Sequence, residues 1–216
     1  MHPKKWITDF LSRHGVPHSD GRPLYQYRVT DEEFESLKQT MKFSSEFGLS
    51  LVSKKLPRWD AAFVIYAAEW WRRKYDGSSW SWKKVFTSFD ADYHELNAFT
   101  RNLVVETGLR YWGRKVRVLN GQSRYLGSVA IEGGLPLNQL TGSGGWLDRI
   151  LKASIAKYIR LQSSGVSASM IVSEYVDYFP KTYRNEQIYS ILGDMVQNVA
   201  EIKREYQLEQ MENPVK

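Results

Sequence analysis

The chain has 216 residues, no cysteine, and 30 Lys+Arg against 24 Asp+Glu, a formal net charge of +6. An apolar share of 42% beside 25% charged residues is that of a folded globular chain, long enough for one or two hydrophobic cores. The missing cysteine excludes disulfides, thiolate metal sites and cysteine nucleophiles, and no apolar run reaches the about 18 residues of a membrane-spanning helix. Met1-His2-Pro3-Lys4-Lys5 opens no secretory leader, so a cytoplasmic location is expected.

Helical periodicity dominates. Residues 4–14 place Trp6, Ile7, Phe10 and Leu11 on one face, and Gly15 and Pro17 stop the helix. A Gly/Pro/His/Ser loop follows over 15–29. Thr30 is an N-cap, with Asp31, Glu32 and Glu33 in the first turn and Phe34, Leu37 and Met41 at helical spacing. Pro57 is expected to open the next helix, which runs to about Tyr75 and is apolar from Ala61 to Ala68, the mark of a central element. Asp76-Gly77 ends it, and a serine-capped short helix is expected before Phe89. Asp92 is expected to cap a helix reaching Trp112, with Leu96, Phe99, Leu103 and Thr107 inward. Asn120-Gly121 between extended segments signals one β-hairpin at about 114–125. Residues 125–132 read as helix, closed by Gly133-Gly134.

Beyond Thr141-Gly142-Ser143-Gly144-Gly145, a hinge or helix N-terminal loop, three more helices are expected. The first spans Trp146 to about Gln162, with Leu147, Ile150, Leu151, Ile155, Tyr158 and Ile159 on one face. The second starts after the Ser167 cap and reaches Phe179. The third runs from about Thr182 to Gln210, with Ile188, Ile191, Leu192, Met195, Val199 and Ile202 as its stripe. The fold class is mainly α, a multi-helix globular domain with one small β-hairpin. It divides into a basic, aromatic-rich part over 1–140 and a helical segment over 146–216 packed on it, or runs through as one continuous domain.

Charge is uneven. Residues 54–124 hold 14 basic and 7 acidic side chains, while 1–53 are balanced at 7 and 7 and 125–216 hold 9 and 10. Six of the eight tryptophans fall in the same third: Trp59, Trp70, Trp71, Trp80, Trp82 and Trp112. Cations among aromatic rings are the footprint of a polyanion binder, because phosphates pair with Arg and Lys while bases stack on indoles. The same residues also serve ordinary cores and helix C-termini. On the binding reading, phosphate contacts come from Arg72, Arg73, Lys74, Lys83, Lys84, Arg114, Lys115, Arg117 and Arg124, with Trp80 or Trp82 as a stacking platform. The expected partner is nucleic acid, DNA ahead of RNA. The alternative is a protein-interaction or scaffold domain whose cations meet an acidic partner or simply solubilise it, while the long helix over 182–210 joins downstream domains or a second copy.

Catalytic chemistry is not supported. The four histidines show no metal-ligand spacing, and Asp90, Asp92 and Glu95 have the spacing of a cap and first turn. The Gly142–Gly145 loop lacks the Lys-Ser/Thr ending of a P-loop. Residues 160–178 approximate a helix-turn-helix around Ser164-Gly165-Val166-Ser167. Glu174 and Asp177 in its second helix would repel phosphate, so two ordinary packed helices are expected. No cofactor, metal or catalytic residue is expected.

Two longer motifs stand out. One is Ala68-Glu69-Trp70-Trp71-Arg72-Arg73-Lys74-Tyr75-Asp76-Gly77 followed by Trp80-Ser81-Trp82. The other is Arg124-Tyr125-Leu126-Gly127 followed by Glu132-Gly133-Gly134-Leu135-Pro136-Leu137. Over about residues 57–140 they resemble the N-terminal region of large bacterial proteins of mobile defence islands, the Druantia-like anti-phage systems, which stand beside a DEAD-box helicase. The resemblance implies that the chain is part of a longer anti-phage defence protein with a helicase as a possible partner. It implies no catalytic residue.

Overall fold

Ala61 to Ala68 offers water no polar face, so a helix built on it is stable only when covered on every side. The structure, a computed structural model of the chain, surrounds it accordingly. It describes residues 1–49, 52, 55–75, 80–119, 121–136, 145–161 and 164–212, without the side chains of 182 and 206–212. The chain forms two compact units, Met1–Asn138 and Gln139–Lys216.

In the first unit, α1 (Pro3–Arg13) and α2 (Asp31–Ser45) lead to α3 (Trp59–Lys74). The short α4 (Trp82–Thr87) and α5 (Ala98–Tyr111) follow, then a ribbon of β1 (Val118–Leu119) and β2 (Gln122–Ser123), and α6 (Tyr125–Gly133). The helix α3 touches α1, α2, α5 and α6, and every residue from Ala61 to Glu69 is buried. Aromatic packing fills the space around it. Phe34 stacks on Tyr66 at 5.4 Å, Phe63 on Trp59 at 5.1 Å and on Phe86 at 5.0 Å, and Trp112 Nε1 donates to the Ala61 carbonyl at 2.9 Å.

Two helices approach α3 backbone to backbone, each through a glycine. A Cβ on Gly108 of α5 would lie 2.3 Å from the Asp60 carbonyl oxygen, and one on Gly133 of α6 would lie 2.4 Å from that of Ala68. The ribbon is a two-residue antiparallel pairing, with Val118 opposite Ser123 and Leu119 opposite Gln122. Gly121 has the positive φ of 73° that its turn requires.

The second unit packs α7 (Trp146–Leu161), α8 (Ala168–Ser173) and α9 (Glu186–Glu212) against one another. Its core joins Leu147 and Ile150 to Ile171, Val172, Ile188, Leu192 and Val196. The mainly α fold with one small hairpin is as the sequence predicts. No described helix is long and apolar enough to cross a membrane.

Several local expectations are corrected. Pro57 does not open α3: the helix starts at Trp59, behind Arg58 in the left-handed region at φ 69°. Asp92 caps only a 3₁₀ turn, Tyr93–Glu95, and Asn97 caps α5 by accepting from the Thr100 N–H at 2.9 Å. The buried face of α5 also differs from the expected one. Val104, Val105, Gly108 and Leu109 point inward, and Phe99 and Leu103 stand 78% and 50% exposed. Ser167 caps a helix that stops at Ser173, after which a 3₁₀ turn spans Val176–Tyr178. The last helix begins at Glu186, and its buried line is Ile188, Leu192, Val196 and Ala200, leaving Val199 and Ile202 exposed. Ile159 of α7 is also exposed. Thr141–Gly144 and Asp76-Gly77 lie outside the described residues.

The close approach at Gly108 sets a sharp contrast between two glycines. Gly108→Ala is expected to cost about 1–3 kcal/mol, because the new methyl meets main chain that cannot step aside. Gly127→Ala in α6, whose added Cβ would meet nothing nearer than Arg124 Cβ at 3.8 Å, is expected to be neutral or to gain up to about 1 kcal/mol. Urea unfolding of the two variants beside the parent chain measures both.

Candidate functional site

The lower end of α3 buries a carboxylate. Glu69 is 1% exposed, so its charge needs partners within the fold. Arg72 supplies Nε at 3.1 Å and Nη2 at 2.6 Å, and Arg73 adds Nε at 3.0 Å. Arg73 also donates Nη2 to the Val29 carbonyl at 2.6 Å, pairs with Asp31, and lies 5.0 Å over the Phe34 ring. A second buried carboxylate, Glu132 of α6, accepts Arg114 Nε at 2.8 Å and the Leu24 N–H at 3.3 Å. Burial raises the pKa of Glu132, with the Arg114 charge and these hydrogen bonds acting against it. Arg114 Nη1 donates to the Gly21 carbonyl at 3.0 Å. Arg72, Arg73 and Arg114 thus each neutralise a buried acid.

The tryptophans flank the first of these clamps. Trp80 stacks on Trp70 at 5.4 Å, meets Trp71 at 4.9 Å and Trp82 at 6.4 Å, and donates Nε1 to the Leu126 carbonyl at 3.3 Å. Trp71 is fully buried, while Trp70, Trp80 and Trp82 are half-buried. The Trp-Trp pair and the Trp-x-Trp turn therefore pack together and reach the first turn of α6.

The remaining sequence-selected cations lie nearer the surface. Lys74 and Lys83 are exposed and Lys84 is half-buried. Lys115, Arg117 and Arg124 are exposed at the ribbon and make no ion pair among the described residues. Main-chain bonds hold the ribbon in place. The Arg124 N–H donates to the Arg117 carbonyl at 2.8 Å, and the Arg117 N–H donates to Ser128 Oγ at 2.9 Å. Beside it lies a cavity of about 590 Å³, lined among others by Arg110, Lys115, Ser123 and Tyr125. Arg110 is exposed, and among the described residues it bonds along its own helix, to Glu106 at 2.8 Å.

Arg110 also lines a second cavity, of about 240 Å³, with Arg58, Asp60, Thr107 and Tyr111. Asp60 Oδ1 is buried without a hydrogen-bond partner, and burial raises the Asp60 pKa to about 6. The guanidinium of Arg58 stacks 4.6 Å over the Tyr111 ring. Sequence reasoning passes over these residues. Asp60 reads as a first-turn carboxylate, and nothing along the chain shows that α5 closes over it. The carboxylates Asp90, Asp92 and Glu95 do not converge: Asp90 pairs with Lys42 at 2.6 Å, Asp92 caps His94, and Glu95 accepts from the Leu49 N–H at 2.8 Å. A third cavity, of about 310 Å³ in the second unit, is lined by Trp146, Arg149, Tyr175 and Tyr178 among others.

Comparison with known proteins gives a consistent answer. Residues 1–135 match the family described as YjiT N-terminal domain, and residues 142–216 match YjiT second domain. Protein YjiT of Escherichia coli (strain K12) is 24% identical over 215 residues, a match taking in 97% of this chain and 40% of that protein. The chain thus spans about two fifths of the length of the curated relative it matches. None of these matches names the defence-island family that the sequence motifs resemble. No solved structure matches the chain.

Two tests separate the structural charges from the surface ones. Arg114→Ala is expected to cost about 2–4 kcal/mol, because it strands the Glu132 charge, and Glu132→Gln added to it is expected to recover a large part. Arg117→Ala and Arg124→Ala are expected to stay within about 0.5 kcal/mol of the parent. Asp60 sets a pH signature. Its folded pKa lies above its unfolded value, so its contribution to stability is present in acid and is lost as pH rises through about 6. Arg58, Arg110 and Tyr111 are the charged or titratable side chains lining its cavity. Asp60→Asn is therefore expected to be more stable than the parent at pH 7.5, by about 1–2 kcal/mol after allowance for screening at a partly exposed group. The gap is expected to close by pH 4, as read from paired urea titrations.

Proposed function

The chain belongs to the YjiT family, and we propose that its first domain is a non-catalytic module that binds nucleic acid through the ribbon and the groove beside it. One observation carries this reading. Lys115, Arg117 and Arg124 stand exposed at a pinned ribbon without carboxylate partners among the described residues, next to a cavity that Arg110 and its partner Glu106 also line. Phosphate oxygens are the natural complement of such a surface, and cations already released from internal pairing lose little on meeting them. The clamped Arg72, Arg73 and Arg114 have a structural task, so they frame the surface rather than make its contacts. Lys74 and Lys83, exposed on α3 and α4, extend the basic character outward. The packed indoles of Trp80 and Trp82 act here as the rigid wall that holds the α6 end in place. The motifs' resemblance to defence-island proteins supports placing the module in a longer bacterial defence protein.

A protein partner is the second reading, favoured by Phe99 and Leu103. They sit one turn apart on α5 and are both exposed. The resemblance makes a helicase the first partner to try.

Fluorescence anisotropy with labelled DNA and RNA strands at 50 and 200 mM salt tests the first reading. Binding is expected at low salt, falling with a log–log slope of about −3 for three to four phosphate contacts. The triple variant Lys115→Glu, Arg117→Glu, Arg124→Glu is expected to abolish it with an unchanged melting curve. No binding at 50 mM salt, or undiminished binding by the triple variant, refutes the assignment. Retention of a helicase by the parent chain but not by Phe99→Glu, Leu103→Glu would favour the second.

A further inference from the structure

The second unit has a pocket of its own. Trp146, Arg149, Ile150 and Ala153 recur at i, i+3, i+4 and i+7, so they share one face of α7. Tyr175 and Tyr178 face the same space, because α8 stops at Ser173 and the chain then turns through a 3₁₀ segment in which the Tyr178 N–H donates to the Tyr175 carbonyl at 2.9 Å. These side chains line the cavity of about 310 Å³. Ile150 is buried, whereas Arg149 is exposed and Tyr178 stands 71% exposed. The cavity therefore runs from an apolar interior to a mouth open to solvent. Its indole is fixed from behind: Trp146 packs on Phe179 at 5.4 Å and on Tyr183 at 5.1 Å, and both of those rings are buried. An accessible apolar cavity with one well-placed polar group is the usual form of a small-ligand site.

Charge decides the polarity of what fits. Among the described residues that line the cavity there is no acid, and Arg149 is the one charged side chain. The acids beside these residues in the chain are already paired: Asp148 with Lys152 at 3.0 Å, Glu174 with Lys157, and Asp177 with Arg184 at 3.9 Å. Arg149 itself makes no ion pair among the described residues. Three aromatic rings alone would hold a methylammonium group through cation–π attraction, but Arg149 repels any cation there. A bare anion meets the guanidinium and leaves the rings without a partner. A neutral ring stacks and leaves the guanidinium unused. A flat ring that carries a carboxylate or phosphate satisfies both, its face against the indole and phenol rings and its acid on the planar fork of the arginine.

We infer that this cavity of the second domain binds a planar aromatic anion, with Trp146, Tyr175 and Tyr178 flanking the ring while Arg149 takes the carboxylate or phosphate. None of these residues belongs to the proposed nucleic-acid surface of the first domain, so either assignment can fail without the other. A free aromatic acid and a nucleotide of a bound strand present the same chemistry, a ring beside an anionic group.

Isothermal titration of the whole chain with indole-3-acetate, indole, tryptamine and acetate varies ring and charge separately. Indole-3-acetate is expected to bind at least about tenfold more tightly than indole, the worth of one hydrogen bond to a charged group, with tryptamine and acetate weaker still. Arg149→Gln is expected to bring indole-3-acetate down to the level of indole. Tyr178→Ala is expected to weaken both ligands together, and Tyr178→Phe to restore them. Both side chains are exposed, so the melting curves of these variants are expected to match the parent. A second arm adds AMP and a short oligothymidylate. Strand binding that falls in Arg149→Gln and Tyr178→Ala identifies the ligand as a nucleotide of a strand. Strand binding indifferent to both variants, beside indole-3-acetate or AMP binding that depends on them, identifies a free aromatic acid. Tryptamine or acetate bound as tightly as indole-3-acetate overturns the inference. So does the failure of indole-3-acetate and AMP alike to bind, or binding of the two that survives unchanged in Arg149→Gln and Tyr178→Ala.

Discussion

The helix α3 is covered on every side, and the rest of the first unit follows from that constraint. A helix with no solvent face has to be approached closely from several directions, and Gly108 and Gly133 permit this by removing the Cβ from the two tightest contacts. Close approach also decides what its polar ends can do. Where a neighbouring element covers a charge of α3, water has been displaced, so that charge has to find a partner within the fold or remain uncompensated. At the C-terminal end the charge is met: Glu69 lies between Arg72 and Arg73. At the N-terminal end it is not, and Asp60 is left with a buried oxygen that nothing satisfies. The two ends of one helix thus differ in kind: one carboxylate is clamped by arginines, and the other is left uncompensated.

The clamps explain why a strongly basic segment does not make an equally basic surface. Arginine suits this work because its planar fork can serve a carboxylate and a main-chain carbonyl together. Arg73 does so with Glu69 and the Val29 carbonyl, and Arg114 with Glu132 and the Gly21 carbonyl. Each joins parts of the chain far apart in sequence. Those contacts fix the N-terminal loop against α3 and α6, and with it the base from which the ribbon projects. The free cations of the ribbon are therefore carried on a support made rigid by the cations that are not free.

Much of the fold is legible along the chain because its signals are local. The cap of α2 at Thr30, the antiparallel pairing of the ribbon and the Gly134 end of α6 each depend on a few neighbouring residues, and each stands where the sequence places it. The failures share a cause. Pro57 and Asp92 are sound start signals, yet Arg58 in a left-handed conformation and Asn97 two residues past a 3₁₀ turn take over the starts of α3 and α5. In α5, Phe99 and Leu103 face outward because Val104, Val105, Gly108 and Leu109 form the buried face. The apolar periodicity of 98–111 is weak enough that packing at Gly108, invisible in sequence, settles the orientation.

The candidate site is less legible for a different reason. Charge and aromatic content can be counted, but whether an arginine meets a carboxylate depends on partners such as Glu132, 18 residues from Arg114 in the chain. A cluster like Arg72-Arg73-Lys74 therefore promises more exposed charge than it delivers, while Asp60, unremarkable in sequence, becomes distinctive once α5 covers it. Lys115, Arg117 and Arg124 escape this ambiguity through their position. A two-residue ribbon has too little breadth to bury its own side chains, and its neighbours α5 and α6 are already committed to α3. Charges placed there have no internal acid to neutralise, so their sequence signal and their structural state coincide. Arg72, Arg73 and Arg114 are held by buried carboxylates, whereas the cations at the ribbon keep their charges exposed.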